Sequence, residues 1–268
     1  MTTPYKGAVQ HAQRLHDKYG VINPEDIRLE DIAYAEGLSV VDGGVTGSDA
    51  RLVLHNKQSG TIRVKAGVDR GRRRFSIAHE IGHFILHPNG LSRCSTEDLS
   101  TWHKGDRESQ ANAFAAEFIL PSRMTRKYCE VDNISLAPAK LMAEKFHVSL
   151  TASLIRFVDL CPTPCAVIAA AADTRTIRWS SPSGADAQFP LRLPAWGDSL
   201  DPGALAAHLV KKNTQSTEPS VVGSHVWLEE PTKLPDHVEV YEDAVVLPSY
   251  NMTLSLVWLE GWDGEGED

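Results

Sequence analysis

The sequence is poor in cysteine. Its 268 residues contain four, Cys94, Cys129, Cys161 and Cys165, and their spacing fits no common metal-binding pattern. The segment Cys161-Pro-Thr-Pro-Cys165 is a poor match to the Cys-x-x-Cys motif of thiol redox proteins. We therefore expect reduced thiols with a structural role, as is usual in a reducing compartment.

Long apolar stretches are also missing. No run approaches the ~18 apolar residues that would cross a membrane, and residues 1–6 lack the apolar core of a signal peptide. We therefore expect a cytoplasmic protein without a membrane partner. The composition, 42% hydrophobic and 23% charged, is ordinary for a globular chain, and the length allows two domains.

Basic residues are scarce towards the end of the chain. Residues 163–268 hold 16 acidic and 6 basic residues, whereas residues 1–162 hold 19 acidic and 21 basic ones. The change of balance near residue 162 indicates a domain boundary there. The net charge of −8 argues against nonspecific binding of nucleic acid by the whole chain.

The segment Phe75–His87 reads as a buried helix that contains a His-Glu-x-x-His motif. Its side chains are nearly all apolar apart from His79, Glu80, His83 and the last residue. Two histidines on a helix are often surface or core residues, but chance would produce roughly 0.03 such motifs in this composition. Histidines four residues apart share a helix face, so His79 and His83 can bind one metal ion, while Glu80 can reach a water on that ion.

A catalytic zinc site needs a third protein ligand. His87 continues the same helix face, although three successive i+4 residues span about 12 Å of the helix axis, too far for one ion unless the helix breaks. Glu108 is the better candidate, because it lies in a second helical segment, residues 106–121, that ends at a proline. Asn112 lies one turn further along that helix and could orient a ligating histidine.

These motifs together resemble the ImmA/IrrE family of bacterial and phage metallopeptidases. The resemblance covers roughly residues 20–160 and includes the His79–His83 motif and the pattern Glu108-x-x-Ala-Asn-x-Phe-Ala-Ala-Glu-Phe-Ile-Leu-Pro. It implies that His79, His83 and Glu108 bind zinc and that Glu80 is the catalytic base. Glu117 also matches the family, but it lies on the opposite side of the helix from Glu108, so we expect a structural role.

The remaining candidates for the site are less specific. Tyr5, His103 and Tyr128 could each donate a hydrogen bond to the oxyanion of a tetrahedral intermediate. We favour His103, because it falls in the predicted loop between the two ligand helices. The basic run at residues 70–74 could steer an acidic substrate, but carboxylate partners or a solvated surface explain it better.

Short elements surround the motif. We predict helices from Tyr5 to Tyr19 and from Asn23 to Glu36, and a small antiparallel sheet beside the metal helix. One edge strand of that sheet could hold an extended substrate. The predicted strands of the sheet are Leu38–Val41, Ala50–Leu54 and Thr61–Val64.

Two further segments follow the metal-binding region. Leu136–Phe146 and Leu150–Leu160 resemble a helix-turn-helix, but the second helix has few residues suited to DNA, so packing onto the peptidase explains it better. From residue 166 onwards we predict an α+β sensor-like domain, similar to the GAF-like domain of some family members. Its elements are strands at 166–171, 176–179, 224–228, 238–241, 244–247 and 253–258, and a helix at 203–212.

The sequence therefore predicts an α+β protein with a zincin-like metallopeptidase domain. We place that domain at residues 1–130, the helix-turn-helix-like segment at 131–162, the sensor-like domain at 163–260 and an acidic tail at 261–268. Resemblance implies a zinc endopeptidase, with manganese possible in the cell, that cleaves an XRE-type repressor to release a stress or mobile-element regulon. The alternative is a non-proteolytic, metal-stabilised regulator that binds DNA or a repressor.

Overall fold

The computed structural model describes residues 5–88, 102–183, 193–212, 215–227 and 234–262, without the side chains of residues 102–106 and 210–212. These residues contain eight α-helices and eight β-strands, which confirms the predicted α+β class. The helices are α1 Lys6–Lys18, α2 Leu29–Ala35, α3 Arg70–Leu86, α4 Trp102–Ile119, α5 Ser122–Cys129, α6 Leu136–Phe146, α7 Leu150–Leu160 and α8 Leu205–Lys212. The strands are β1 Leu38–Gly43, β2 Ala50–Asn56, β3 Ser59–Lys65, β4 Cys165–Ala171, β5 Ile177–Pro182, β6 Ser220–Val222, β7 Glu239–Leu247 and β8 Met252–Glu260.

The elements fall into two contact units. One contains residues 2–124 and 142–152, and the other contains mainly residues 125–141 and 153–268. None of the helices in the described ranges is long and apolar enough to cross a membrane. The domain boundaries given by the sequence, at 130, 162 and 260, stay a prediction.

The first unit contains a three-stranded sheet in the order β1-β3-β2. A tight turn joins β2 to β3 as an antiparallel pair, but β1 pairs with the other side of β3 in parallel, with Leu38 opposite Gly60. The prediction of an all-antiparallel sheet was therefore wrong for β1. Alternating apolar residues fit either strand direction, so the sequence pattern could not distinguish them.

The predicted helix from Asn23 to Glu36 is interrupted. A short 3-10 helix, Pro24–Asp26, is followed by α2, and Ile27 between them has a non-helical ψ of 69°. The carbonyl oxygen of Ile27 accepts a 3.2 Å hydrogen bond from Nη2 of Arg74. This long-range bond replaces the helical one that the local sequence favours.

Helices α3 and α4 approach closely at Gly82. A Cβ atom at this position would lie 3.0 Å from Cδ1 of Phe114 and 3.3 Å from the Cα atom of Ala111. Both of these α4 residues are fully buried. The glycine inside the His-Glu-x-x-His motif thus permits the helix contact that brings Glu108 towards the histidines.

The second unit contains a five-stranded antiparallel sheet in the order β5-β4-β8-β7-β6. Helix α8 packs on it through a core that includes Ile168, Ala207 and Val257. The predicted strands 238–241 and 244–247 are one continuous strand, β7, and the residues predicted as a strand at 224–226 form a 3-10 helix. The likeness to a GAF domain stays a prediction.

Strand β7 carries a buried glutamate that is fully hydrogen-bonded. The buried carboxylate of Glu242 accepts hydrogen bonds from the backbone N–H groups of Leu205 and Ala206, from Nε1 of Trp227 and from the hydroxyl of Ser255. Burial raises the pKa of Glu242, while these donors favour its ionised form. One carboxylate therefore joins the start of α8, the 3-10 segment and β8.

Helices α6 and α7 have the bounds that the sequence predicted. His147 makes the turn between them with a φ of 54°, and the Ser149 hydroxyl caps α7 by accepting the N–H of Ala152 at 3.1 Å. The single arginine of α7, Arg156, is buried, as are most of its apolar residues. This burial supports packing over DNA reading as the role of α7.

Candidate metal centre

Helix α3 carries the His-Glu-x-x-His motif and is fixed at its start by a side-chain cap. The carboxylate of Asp69 accepts hydrogen bonds from the backbone N–H groups of Gly71 and Arg72, at 2.9 and 3.1 Å. Ile77 and Ile81 are fully buried. The buried side of the helix sets its rotation, and the two motif histidines lie beside that buried side.

The structure brings His79, His83 and Glu108 together. Nε2 of His79 lies 3.0 Å from Nε2 of His83. The Glu108 carboxylate lies 3.3 Å from the first of these nitrogens and 3.4 Å from the second. The three side chains form a cluster whose donor atoms all lie within 4.8 Å of one another.

These distances fit a metal ion with tetrahedral geometry. Zinc binds histidine nitrogen and carboxylate oxygen at about 2.0–2.2 Å, so neighbouring ligand atoms in a tetrahedron lie about 3.3 Å apart. The side chain of Glu108 is 49% exposed, whereas those of His79 and His83 are 17% and 9% exposed. The cluster therefore opens towards solvent on the Glu108 side, where a fourth ligand could enter.

Asn112 is hydrogen-bonded to His79. Its Oδ1 lies 2.9 Å from Nδ1 of His79, so the ring donates Nδ1–H to the amide oxygen. The lone pair on Nε2 then faces the cluster, which is the form of histidine that binds a metal.

His83 is neutral near pH 7. Burial is the main cause that lowers its pKa, to about 4, and the neighbouring His79 lowers it further, although Glu108 acts in the opposite direction. A neutral ring has the free nitrogen lone pair that a metal ion requires. The local environment thus favours the ligating state.

Glu80 lies beside the cluster and contacts the edge of the sheet. Its Oε2 accepts a 3.0 Å hydrogen bond from the backbone N–H of Leu52 in β2. Burial raises the pKa of Glu80 to about 7, a direction that Glu108 shares, while the Leu52 N–H and Arg51 lower it. A carboxyl group with a pKa near neutrality is suited to both take up and release a proton.

The other predicted residues are placed as follows. His87 ends α3, and its ring centroid lies 5.7 Å from that of His83, outside the three-residue cluster. The buried Glu117 accepts hydrogen bonds from Gln13 and from the N–H and hydroxyl of Ser122, at 3.1, 3.2 and 2.9 Å. These contacts agree with a structural role for Glu117.

The three residues that could donate to an oxyanion lie in different parts of the structure. The backbone of His103 lies in α4 rather than in the predicted loop, so that part of the prediction was wrong, and its side chain lies outside the described residues. Tyr5 lines a pocket of about 320 Å³ with His11, Ile85 and Gln110, and Tyr128 lies on α5. The role of an oxyanion donor stays a prediction.

The basic run at the start of α3 is largely paired. Arg72 forms an ion pair with Asp49, and Arg73 contacts both Asp42 and Glu30. These carboxylates come from α2, from β1 and from the loop before β2. The pairing supports the prediction of carboxylate partners over a surface that steers an acidic substrate.

Comparison with known proteins gives an independent result. Residues 36–157 match the family model Peptidase_M78, described as the IrrE N-terminal-like domain. The uncharacterized immunity region protein 2 of Bacillus phage phi105 is 27% identical over 126 residues, which cover 47% of this chain and 75% of that protein. Metallopeptidase ImmA of Bacillus subtilis (strain 168) is 33% identical over 73 residues, which cover 27% of this chain and 43% of that protein.

A solved structure shares the fold. A Mycobacterium tuberculosis transcriptional regulator superposes with a TM-score of 0.62 at 18% identity, and the match covers 94% of this chain and 76% of that one. The family match, residues 36–157, includes α3, α4 and every member of the His79–His83–Glu108 cluster. Residues 36–157 thus match the IrrE N-terminal-like domain family, which supports the resemblance to the ImmA/IrrE family found in the sequence.

Proposed function

We propose that the protein is a metal-dependent endopeptidase in which His79, His83 and Glu108 hold the metal ion. The observation that carries this proposal is the convergence of three donor atoms within 4.8 Å, with Glu80 next to them on α3. A purely structural zinc site usually has four protein ligands, often cysteines. Three ligands and an adjacent, partly buried carboxylate favour catalysis.

The donor set favours zinc. Two imidazole nitrogens and one carboxylate are the ligands of many zinc hydrolases, whereas manganese prefers more oxygen donors. Manganese could still replace zinc in the cell, because metal supply also decides occupancy. A zinc ion bound there would supply a Lewis acid that polarises the scissile carbonyl group and acidifies a water molecule.

Glu80 moves the protons of the reaction in this proposal. Its Oε2 is held by the Leu52 N–H, so we assign the proton transfer to Oε1. The carboxylate takes a proton from the attacking water and then returns it to the nitrogen of the leaving amine. Asn112 keeps His79 in the ligating orientation through the 2.9 Å contact with Nδ1.

Strand β2 is the proposed site for the substrate backbone. It is an edge strand of the three-stranded sheet, and the Leu52 N–H points to Glu80 rather than to β3. Because strand residues alternate, the backbone groups of Leu54 also point to this open edge. An extended peptide that adds to β2 would therefore pass beside Glu80 and the metal ligands.

A protein substrate of the XRE-repressor type remains part of this proposal. One relative is a phage immunity region protein, which supports a regulatory setting, and another is a metallopeptidase, which supports proteolysis. Cleavage of a repressor would release transcription of a stress or mobile-element regulon. Such a substrate would also place the enzyme in the cytoplasm.

The test is cleavage of the repressor encoded beside the gene. The full chain is incubated with that repressor and zinc or manganese, with and without chelator, and the fragments are identified by mass spectrometry. Glu80→Gln should bind zinc but cleave nothing, while Glu144→Gln, an exposed glutamate of α6, should cleave normally. Full turnover by Glu80→Gln would refute the assigned base, and a stable complex without cleavage would favour the non-proteolytic regulator.

A further inference from the structure

Two of the four cysteines face each other in the second unit. Cys161 follows the last residue of α7, and Cys165 is the first residue of β4. Their thiol groups are hydrogen-bonded to each other. Neither thiol belongs to the candidate metal centre, and neither has a part in the proposed hydrolysis.

The two thiols differ in exposure and acidity. Cys161 is partly exposed, and its sulfur also receives hydrogen bonds from the backbone N–H and the hydroxyl of Thr163. The contact with Cys165 comes first among the causes that lower the pKa of the Cys161 thiol, and the Thr163 donors act in the same direction. Cys165 is 0% exposed, and the contact with Cys161 together with burial raises its pKa.

Backbone hydrogen bonds fix the segment that carries both cysteines. The Cys161 N–H donates to the Phe157 carbonyl at 2.8 Å, which continues the helical pattern. Ser183 N–H donates to the Cys165 carbonyl at 2.7 Å, and Leu259 N–H donates to the Pro164 carbonyl at 3.1 Å. The two prolines of the connecting turn further restrict its backbone. The short segment that joins the two hydrogen-bonded thiols is therefore fixed at both ends by the fold.

We propose that Cys161 and Cys165 form an oxidation site at which a peroxide converts the two thiols into an intramolecular disulfide. The Cys161 thiolate attacks one peroxide oxygen and breaks the O–O bond, which gives a sulfenic acid and releases hydroxide. The Cys165 sulfur then attacks the Cys161 sulfur and displaces the hydroxyl group, which leaves as water with the Cys165 proton. In total the two thiols lose two electrons, and one hydrogen peroxide molecule is reduced to two water molecules.

Cys129 provides a matched control in the same unit. It is also fully buried and lies near the pair, but its thiol donates to the carbonyl of Thr125 at 3.4 Å. Burial raises the pKa of Cys129 to about 12. A thiol in this state is a poor nucleophile, so it should stay reduced while Cys161 reacts.

The experiment uses the full reduced chain and hydrogen peroxide. After brief oxidation at neutral pH, the protein is quenched, denatured, alkylated and digested with trypsin. Residues 157–175 form one tryptic peptide that contains both cysteines of the pair, whereas Cys94 and Cys129 fall in separate peptides. The 157–175 peptide should resist alkylation and weigh about 2 Da less than its reduced form, the mass of two hydrogen atoms, and dithiothreitol should reverse the change.

Single substitutions separate the two steps. Cys165→Ser should leave a sulfenic acid at Cys161 that dimedone traps, because the second thiol is missing. Cys161→Ser should leave Cys165 alkylatable after denaturation, because the buried thiol does not react with peroxide itself. We expect the pair in the native chain to be oxidised at least about 10-fold faster than Cys129.

Three results would overturn the proposal. The first is an unchanged 157–175 peptide at peroxide exposures that oxidise Cys129. The second is the accumulation of sulfinic acid at Cys161 in place of the disulfide. The third is a crosslink from Cys161 to Cys129, to Cys94 or to a second chain. The mapped peptides distinguish these outcomes without any measurement of proteolysis. The test therefore stands whether or not the proposed peptidase activity is found.

Discussion

The backbone N–H of Leu52 donates a 3.0 Å hydrogen bond to Oε2 of Glu80. This contact joins an edge strand of the sheet to the helix that carries the two motif histidines. It restricts the rotation of the proposed base and leaves the side-chain oxygen Oε1 for proton transfer. The backbone N–H of Leu52 thus helps to fix the orientation of the Glu80 side chain in the candidate site.

Replacement of Leu52 by proline should slow catalysis without removal of the metal. Proline lacks the N–H group, and at an edge position this loss does not disturb pairing with β3. A lost hydrogen bond of ordinary strength, about 1–1.5 kcal/mol, corresponds to a decrease in kcat of about 10-fold. Steady-state kinetics of the wild type and Leu52→Pro measure the change in kcat, and the zinc content of both proteins shows whether the metal is retained.

Leu54→Pro is the matched control for this change. Leu54 lies on the same open edge of β2, but in the described structure the hydrogen bond to Glu80 comes from Leu52 and not from Leu54. Its substitution should raise KM through lost backbone contacts with substrate and leave kcat nearly unchanged. Equal effects of the two prolines on kcat would argue against a specific role for the Leu52 N–H.

Asn112→Ala should weaken zinc binding. The substitution removes the oxygen that accepts Nδ1–H of His79, and loss of such a partner typically costs about 10–100-fold in metal affinity. Asn112→Asp keeps an acceptor oxygen and should retain most of the affinity. Competition with a coloured chelator measures both variants, and wild-type affinity in Asn112→Ala would show that the contact is not needed.

Gly82→Ala should destabilise the first unit. The added Cβ would lie 3.0 Å from Phe114 and 3.3 Å from the backbone of Ala111, and overpacking of this kind costs about 1–3 kcal/mol. The melting temperature should fall and zinc affinity should fall with it. Gly7→Ala on α1, where no atom lies within 4 Å of the new Cβ, should leave stability unchanged or raise it slightly.

Stability should decrease as the pH falls below about 6.5, and His16 should contribute to this decrease. Its side chain is buried, Nε2 donates to the Phe118 carbonyl at 3.0 Å, and burial lowers its pKa from the ordinary 6.5. The unfolded chain therefore takes up a proton at a pH where the folded chain does not. Each pH unit below that point costs up to about 1.4 kcal/mol until the folded-state pKa is reached.

Urea unfolding at pH 7.5 and pH 5.5 checks this expectation. His16→Gln keeps an N–H donor for the carbonyl but cannot be protonated in this range, so its stability should change less between the two pH values. If the wild type and His16→Gln lose the same stability on acidification, then His16 does not contribute.

The cluster of His79, His83 and Glu108 was predictable because much of it depends on local spacing. Four residues separate His79 from His83, and a helix alone places them on one face, while a second helix with Glu108 and Asn112 completes the set. The contact between Glu80 and Leu52 could not be predicted, since any residue supplies a backbone N–H. Only the tertiary arrangement decides which one meets the carboxylate.

The errors in the predicted fold have a related origin. The strands predicted at 238–241 and 244–247 left out Glu242 and Asp243, but donors from distant parts of the chain satisfy these acids within β7. The helix predicted after Asn23 is interrupted where the Ile27 carbonyl bonds to Arg74. In each case, a long-range hydrogen bond outweighs the local preference of the segment.

If substrate binds along β2 as proposed, this edge strand also limits what form of protein can be cut. Only an extended segment can align its backbone with a strand, whereas a helix-turn-helix repressor is helical in its folded state. Such a substrate must first open locally around the scissile bond, and the fraction of open molecules depends on its own local stability. Mutations that loosen a repressor far from the cut site should therefore hasten its cleavage, so susceptibility is a property of substrate dynamics as well as of substrate sequence.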